Sequence, residues 1–99
     1  VPEVVWKYVL RDVVNEIELP SEATVLTVAA QNNAVCLWAK VDPGAEKVTR
    51  TFRVTGTGHA ELTGTETYLG SALTHDGLFA FHVFESEGGV GGVVASPGP

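Results

Sequence analysis

Positive charge, cysteine and long apolar runs are all scarce in this chain, and each scarcity argues against a class of function. Only 6 lysines and arginines stand against 12 acids, which leaves a net charge of −6. Non-specific binding to DNA or RNA needs several cations facing phosphates, so such a partner is not expected, although one small anion in a local pocket remains compatible. The single cysteine, Cys36, has no partner for an internal disulfide and lies in an apolar segment. It reads as a buried thiol in a reducing compartment. No stretch approaches the roughly 18 apolar residues of a spanning helix. The start, Val1-Pro2-Glu3, lacks the charged-then-apolar pattern of a secretion signal. The expected location is therefore the cytoplasm of whichever cell makes it, with no membrane partner. Helical periodicity is missing too: Val13 to Leu19 is the nearest candidate, and it is too short and too β-branched to hold a helix alone.

What is present is period-two alternation of β-branched and aromatic residues. The pattern predicts strands over Val4–Arg11, Glu16–Leu19, Thr24–Gln31, Ala34–Asp42, Val48–Thr55, Thr67–Thr74 and Leu78–Glu85. Three tight turns punctuate them. Asn32-Asn33 tolerates positive φ, Asp42-Pro43-Gly44 combines a preset φ with a permissive one, and His75-Asp76-Gly77 joins the last pair. Along the strands Leu26, Val28 and Ala30 are expected on one face, as are Val35, Leu37, Ala39 and Val41, and Val48, Arg50, Phe52 and Val54. At 99 residues and 44% hydrophobic content, the chain can form one compact core. The expected fold is all-β: a single small antiparallel barrel or sandwich of about seven strands, wound as a meander. The domain is expected to occupy residues 1–86. The Gly/Val/Pro-rich stretch 87–99 reads as a tail, or as an arm that adds Val93-Val94-Ala95 to a neighbour's sheet in a homo-oligomer.

The densest polar cluster is Arg50, Arg53, Thr55, Gly56, Thr57, Gly58 and His59. Arginine recognises phosphate or carboxylate bidentately, glycines let backbone N–H groups approach an anion, and threonine and histidine add donors. A Gly-x-Gly with no helix after it is not a dinucleotide fingerprint, and an ordinary strand end with a glycine turn remains an open alternative. Trp38, on the same strand face as Lys40, is either a stacking platform for a planar ligand or a packing residue. No catalytic equipment is discernible. His59, His75 and His82 lack metal-ligand spacing, no serine has a nucleophile-elbow context, Cys36 lacks an adjacent base, and the acids form no isolated pair. No enzyme activity, cofactor or metal is expected.

Taken in order, Trp6-Lys7-Tyr8, Leu19-Pro20, Leu37-Trp38-Ala39, Val41-Asp42-Pro43, Arg50-Thr51-Phe52, Gly56-Thr57-Gly58-His59 and His82-Val83-Phe84-Glu85 form a pattern. It resembles a family of small uncharacterised proteins of bacteriophages and prophages, over about residues 4 to 85. The resemblance implies a phage accessory protein and no mechanism. With the Arg/Gly/Thr/His cluster, it points to a non-enzymatic binder that sequesters a small nucleotide-like host defence signal. The alternative is a structural, assembly or protein-interaction module of a phage, either virion-associated or an inhibitor of a host protein.

Overall fold

A computed structural model describes residues 2–59 and 62–86, and stretch 87–99 lies outside the described residues. Seven strands follow one another: β1 (Val4–Leu10), β2 (Val14–Pro20), β3 (Thr24–Gln31), β4 (Ala34–Val41), β5 (Lys47–Gly56), β6 (Thr67–Thr74) and β7 (Phe79–Glu85). All pairings are antiparallel. They build a three-stranded sheet in the order β1-β4-β3 and a four-stranded sheet in the order β2-β5-β7-β6. The fold is a sandwich rather than a barrel, because the two sheets stay separate. No helix among the described residues is long and apolar enough to cross a membrane.

The expected meander does not hold. Only β3–β4 and β6–β7 are hairpins between sequence neighbours; β1–β2, β2–β3 and β4–β5 each pass from one sheet to the other. The Asp42-Pro43-Gly44 turn forms, with the Asp42 carboxylate accepting from Gly44 N at 3.0 Å and its carbonyl accepting from Ala45 N at 3.0 Å. It redirects the chain between sheets instead of folding it back beside β4. The physical reason is burial. Val41 and Phe52 are both 0% exposed, and stacking sheet on sheet covers both, whereas one curled ribbon of short strands would not. Asn32-Asn33 does close a two-residue hairpin, with φ of 53° and 61° in the primed geometry that matches strand twist.

The core is the inner layer between the sheets. Val35, Leu37, Ala39 and Val41 of β4 face Phe52, Val83 and Ala72, together with Leu10, Leu19 and Val28. Each fully buried large side chain among them contributes roughly 2 kcal/mol. Two bulges adjust the fit. The register of β3 shifts between Val25 and Thr27, so Leu26 points away at 51% exposure while Val25 packs against the core in its place. The register of β6 shifts between Tyr68 and Gly70, and there the sheets approach closely: a Cβ on Gly70 would lie 2.9 Å from Val28 Cβ.

The alternation leaves Cys36 on the outer face of the three-stranded sheet, yet it is 1% exposed, flanked across the strands by Val9 and Ala29. Tyr8 packs against the core, its hydroxyl has no hydrogen-bond partner among the described residues, and burial pushes its pKa up.

Two ends of the sandwich matter below. The upper end gathers the β1–β2 corner, the Asn32-Asn33 turn, the end of β5 and the turn between β6 and β7. The lower end gathers the β2–β3 and β4–β5 crossings, tied together by Ser21 N donating to the Glu46 carbonyl at 2.7 Å.

Candidate functional site

The polar cluster expected along β5 is drawn apart by the fold. Arg50 lies on the inner face near the lower end, about 20 Å along the strand from Gly56. Its guanidinium donates to both Glu85 carboxylate oxygens, Nε at 2.7 Å and Nη2 at 2.8 Å, and from Nη1 to the Ala23 carbonyl at 2.7 Å. The hydrogen bond to Glu85 raises its pKa against the opposing effect of burial, and the guanidinium also lies 5.7 Å from the Phe52 ring centroid. This arginine braces β5, β7 and the β2–β3 crossing. Arg53 faces outward and meets the Glu66 carboxylate at 3.9 Å. Trp38 lies on the outer face of the other sheet, between Lys7 and Thr27, and shares no surface with β5.

The Gly56–His59 loop is a tight turn, not an open anion cradle. His59 N donates to the Gly56 carbonyl at 3.1 Å, Gly58 takes φ of 89°, and the His59 ring covers the Gly56 α-carbon, where a Cβ would meet it at 3.3 Å. A nest of backbone amides does exist, a few residues later. Thr63 N donates to Glu66 at 3.1 Å and 3.0 Å, Gly64 N at 3.0 Å and the Thr63 hydroxyl at 3.0 Å. Burial acts to raise the Glu66 pKa. The backbone donors of Thr63, Glu66 and Gly64 and the Thr63 hydroxyl outweigh it and bring the group from 4.5 to about 2. The nest thus holds the chain's own carboxylate.

Strand β5 ends at the upper end, and the connection that follows leads to β6 at the edge of the same sheet. Thr55 points outward and is 5% exposed. A hydroxyl–imidazole chain anchors this connection. Thr57 Oγ1 lies 2.8 Å from His82 Nε2, Ser71 Oγ lies 2.7 Å from His82 Nδ1, and Tyr68 OH lies 2.6 Å from Ser71 Oγ. Thus Thr55, Thr57 and His82 come together on one surface. The Ser71–His82 distance suits proton exchange, but hydroxyls occupy both ring nitrogens and, among the described residues, no carboxylate orients the imidazole. Its evident role is to hold the loop.

The concave surface lies at the upper end, between the sheets. A cleft of about 440 Å³ is lined by Val9, Leu10, Arg11, Asp12, Val13, Asn33, Ala34, Val35, Val54, Thr74, His75 and Phe81. A second depression of about 500 Å³, bounded by Gly56, Thr57, His59 and Gly77 to Phe81, adjoins it across Phe81. The walls are held firmly. Asn15 is 6% exposed; its Oδ1 accepts from Arg11 N and Asp12 N, both at 3.0 Å, and its Nδ2 donates to the carbonyls of Asp12 at 2.7 Å and Phe52 at 3.3 Å. Opposite, His75, Asp76 and Gly77 take φ of 55°, 56° and 83°, three left-handed residues in succession. His75 N donates to Asn33 Oδ1 at 2.9 Å, and the His75 ring meets Phe79 edge-on at 5.3 Å. With every other arginine carboxylate-paired, Arg11 is the one whose guanidinium has no ion-pair or side-chain hydrogen-bond partner among the described residues.

A family model described as a domain of unknown function, DUF7352, matches residues 2–90. The chain belongs to the DUF7352 family. No curated protein matches it. No solved structure matches it either.

For this DUF7352 chain the expected site residues divide. Gly56, Thr57 and His59 line the depression beside the cleft, while Trp38, Arg50, Arg53, Thr55 and Gly58 line neither. Sequence reasoning missed Arg11, Asn15 and Phe81. The signal for the first two was the polar run Arg11-Asp12 followed by Asn15 between two apolar strands, where an asparagine side chain serves a corner as it serves a turn. Among the described residues no group of three or more His, Cys, Asp or Glu side chains is placed to hold a metal ion.

Proposed function

We propose that this chain is a non-enzymatic binding protein that holds a small, flat ligand with an anionic group in the upper cleft. The observation that carries the reading is Arg11, which lines a mostly apolar cleft of about 440 Å³ and whose guanidinium has no partner among the described residues. Cavities of this size, mostly apolar with a few placed polar groups, are where small ligands bind in proteins generally. Arg11 supplies bidentate recognition of phosphate or carboxylate, and Val9, Val13, Val54 and Phe81 supply apolar walls. Asp12 beside Arg11 selects against a bare polyanion and favours a molecule that also carries N–H donors. A nucleobase bearing a phosphate has both. Sequestration requires affinity and stoichiometry only, which suits a cleft whose polar groups bind and do not react.

The setting we infer from the motif resemblance is a bacteriophage accessory protein in the cytoplasm of its host, removing a nucleotide-like defence signal. Native mass spectrometry of protein purified gently from bacterial cells, with a melting screen against nucleoside monophosphates and cyclic dinucleotides, tests the reading. We expect a nucleotide-sized adduct or a raised melting midpoint, abolished in Arg11→Ala and in Phe81→Ala. A wild-type protein that carries no adduct and responds to no probe would count against it.

A further inference from the structure

Among the described residues four strands have a free edge: β1 and β3 in one sheet, β2 and β6 in the other. Natural edges are blunted against strand addition by bulges, proline or charge. The edge of β3 carries a bulge and so does that of β6. The edge of β2 carries Glu16 and Glu18 and ends in Pro20. Strand β1 pairs with β4 in unbroken register, contains no proline and bears one charge, Lys7. Its first half also leaves apolar side chains uncovered on both faces: Val4 at 40%, Val5 at 54% and Trp6 at 37% exposure. A strand laid alongside covers both faces at once, which a partner docking on one face would not do.

The sequence around this segment reads Glu3-Val4-Val5-Trp6-Lys7, acid at one end, base at the other and apolar between. An antiparallel copy centred on Val5 is complementary to it at every position. Val5 meets the partner's Val5 once, on the two-fold axis, while Val4 meets the partner's Trp6 and Glu3 meets the partner's Lys7, these two pairs each occurring twice about it. A surface that satisfies its own copy in this way is the signature of an isologous dimer. Charge and apolar pairing directly across strands is also what sets register. We infer that two copies of this chain associate through β1, antiparallel about Val5, joining their three-stranded sheets into one of six strands. The existing contacts of the two charged residues do not oppose this. Glu3 meets Lys40 at 3.6 Å and Lys7 meets Gln31 at 2.6 Å, both at exposed positions where re-pairing costs little.

Sedimentation of the full chain at micromolar concentrations is the test, with a monomer mass of 10.4 kDa as reference. We expect twice that mass for the wild type. Val5→Lys places like charges face to face on the axis and should give a monomer with an unchanged circular-dichroism spectrum. Glu3→Lys and Lys7→Glu should each weaken self-association about tenfold, since two attractive pairs become repulsive. Mixed together, these two variants should form a mixed dimer, because both charge pairs are then attractive again. A monomeric wild type, a Val5→Lys variant that stays dimeric, or variants that fail to pair when mixed would overturn the inference.

Discussion

At the scale of single residues, the fold decides which charges are available. The three arginines, of which the sequence singled out Arg50 and Arg53, have three fates. Arg50 is bound by Glu85 and the Ala23 carbonyl, Arg53 lies against Glu66, and Arg11 is left at the cleft. Glu66 shows how completely a site can be filled from within, since four donor contacts converge on its carboxylate. Its pKa is lowered from 4.5 to about 2, so in that window the unfolded chain binds a proton that the folded chain does not. Stability contributed by Glu66 is therefore fully present above 4.5 and disappears as the pH falls towards 2. Glu66→Gln should flatten this part of the acid limb in urea unfolding measured at a series of pH values. An unchanged slope between wild type and variant would contradict the assignment.

At the scale of elements, β3 and β6 approach closely. Gly70 has no side chain because Val28 of the facing sheet occupies the space, with 2.9 Å between the valine Cβ and a Cβ added at Gly70. Gly70→Ala should destabilise the fold by about 1–3 kcal/mol, since packed sheets cannot yield locally without strain. Adding Val28→Ala should recover part of that loss. The two changes together would then cost less than their sum, which a double-mutant cycle by chemical denaturation would measure. Full additivity would mean that the close approach does not limit the packing. The bulge in each of these strands belongs to the same fit. It turns Leu26 outward and brings Val25 into the core, which simple alternation along β3 does not anticipate.

At the scale of the whole molecule, the Arg50–Glu85 brace and the cleft proposed to bind a ligand lie at opposite ends. The lower end is held by the Arg50–Glu85 pair and the linked crossings, and the upper end carries the cleft, whose corner Asn15 stiffens. This separation predicts a clear division of effects. Arg50→Gln should lower stability by about 2 kcal/mol, the cost of a charge-assisted pair removed from a part-buried setting. It should leave any response to nucleotide probes intact. Arg11→Ala should do the reverse, with an unchanged urea midpoint and no response to the probes. If Arg50→Gln abolishes the response while the fold survives, the site belongs on β5 after all.

Much of the architecture was legible before any coordinates. Alternation and turn chemistry in the sequence determine seven strands, the Asn32-Asn33 hairpin and the inward row Val35, Leu37, Ala39 and Val41, because each depends on residues adjacent in the chain. The strand order, the passage of Asp42-Pro43-Gly44 between sheets, the outward turn of Leu26 and the division of the arginines belong to the tertiary structure alone. They depend on which strand lies opposite which. Arg50 had the composition of an anion site, and only the register of β5 against β7 placed Glu85 within its reach. Arg11 closes the first strand in the sequence, and only the stacking of two sheets makes it part of a cleft lining.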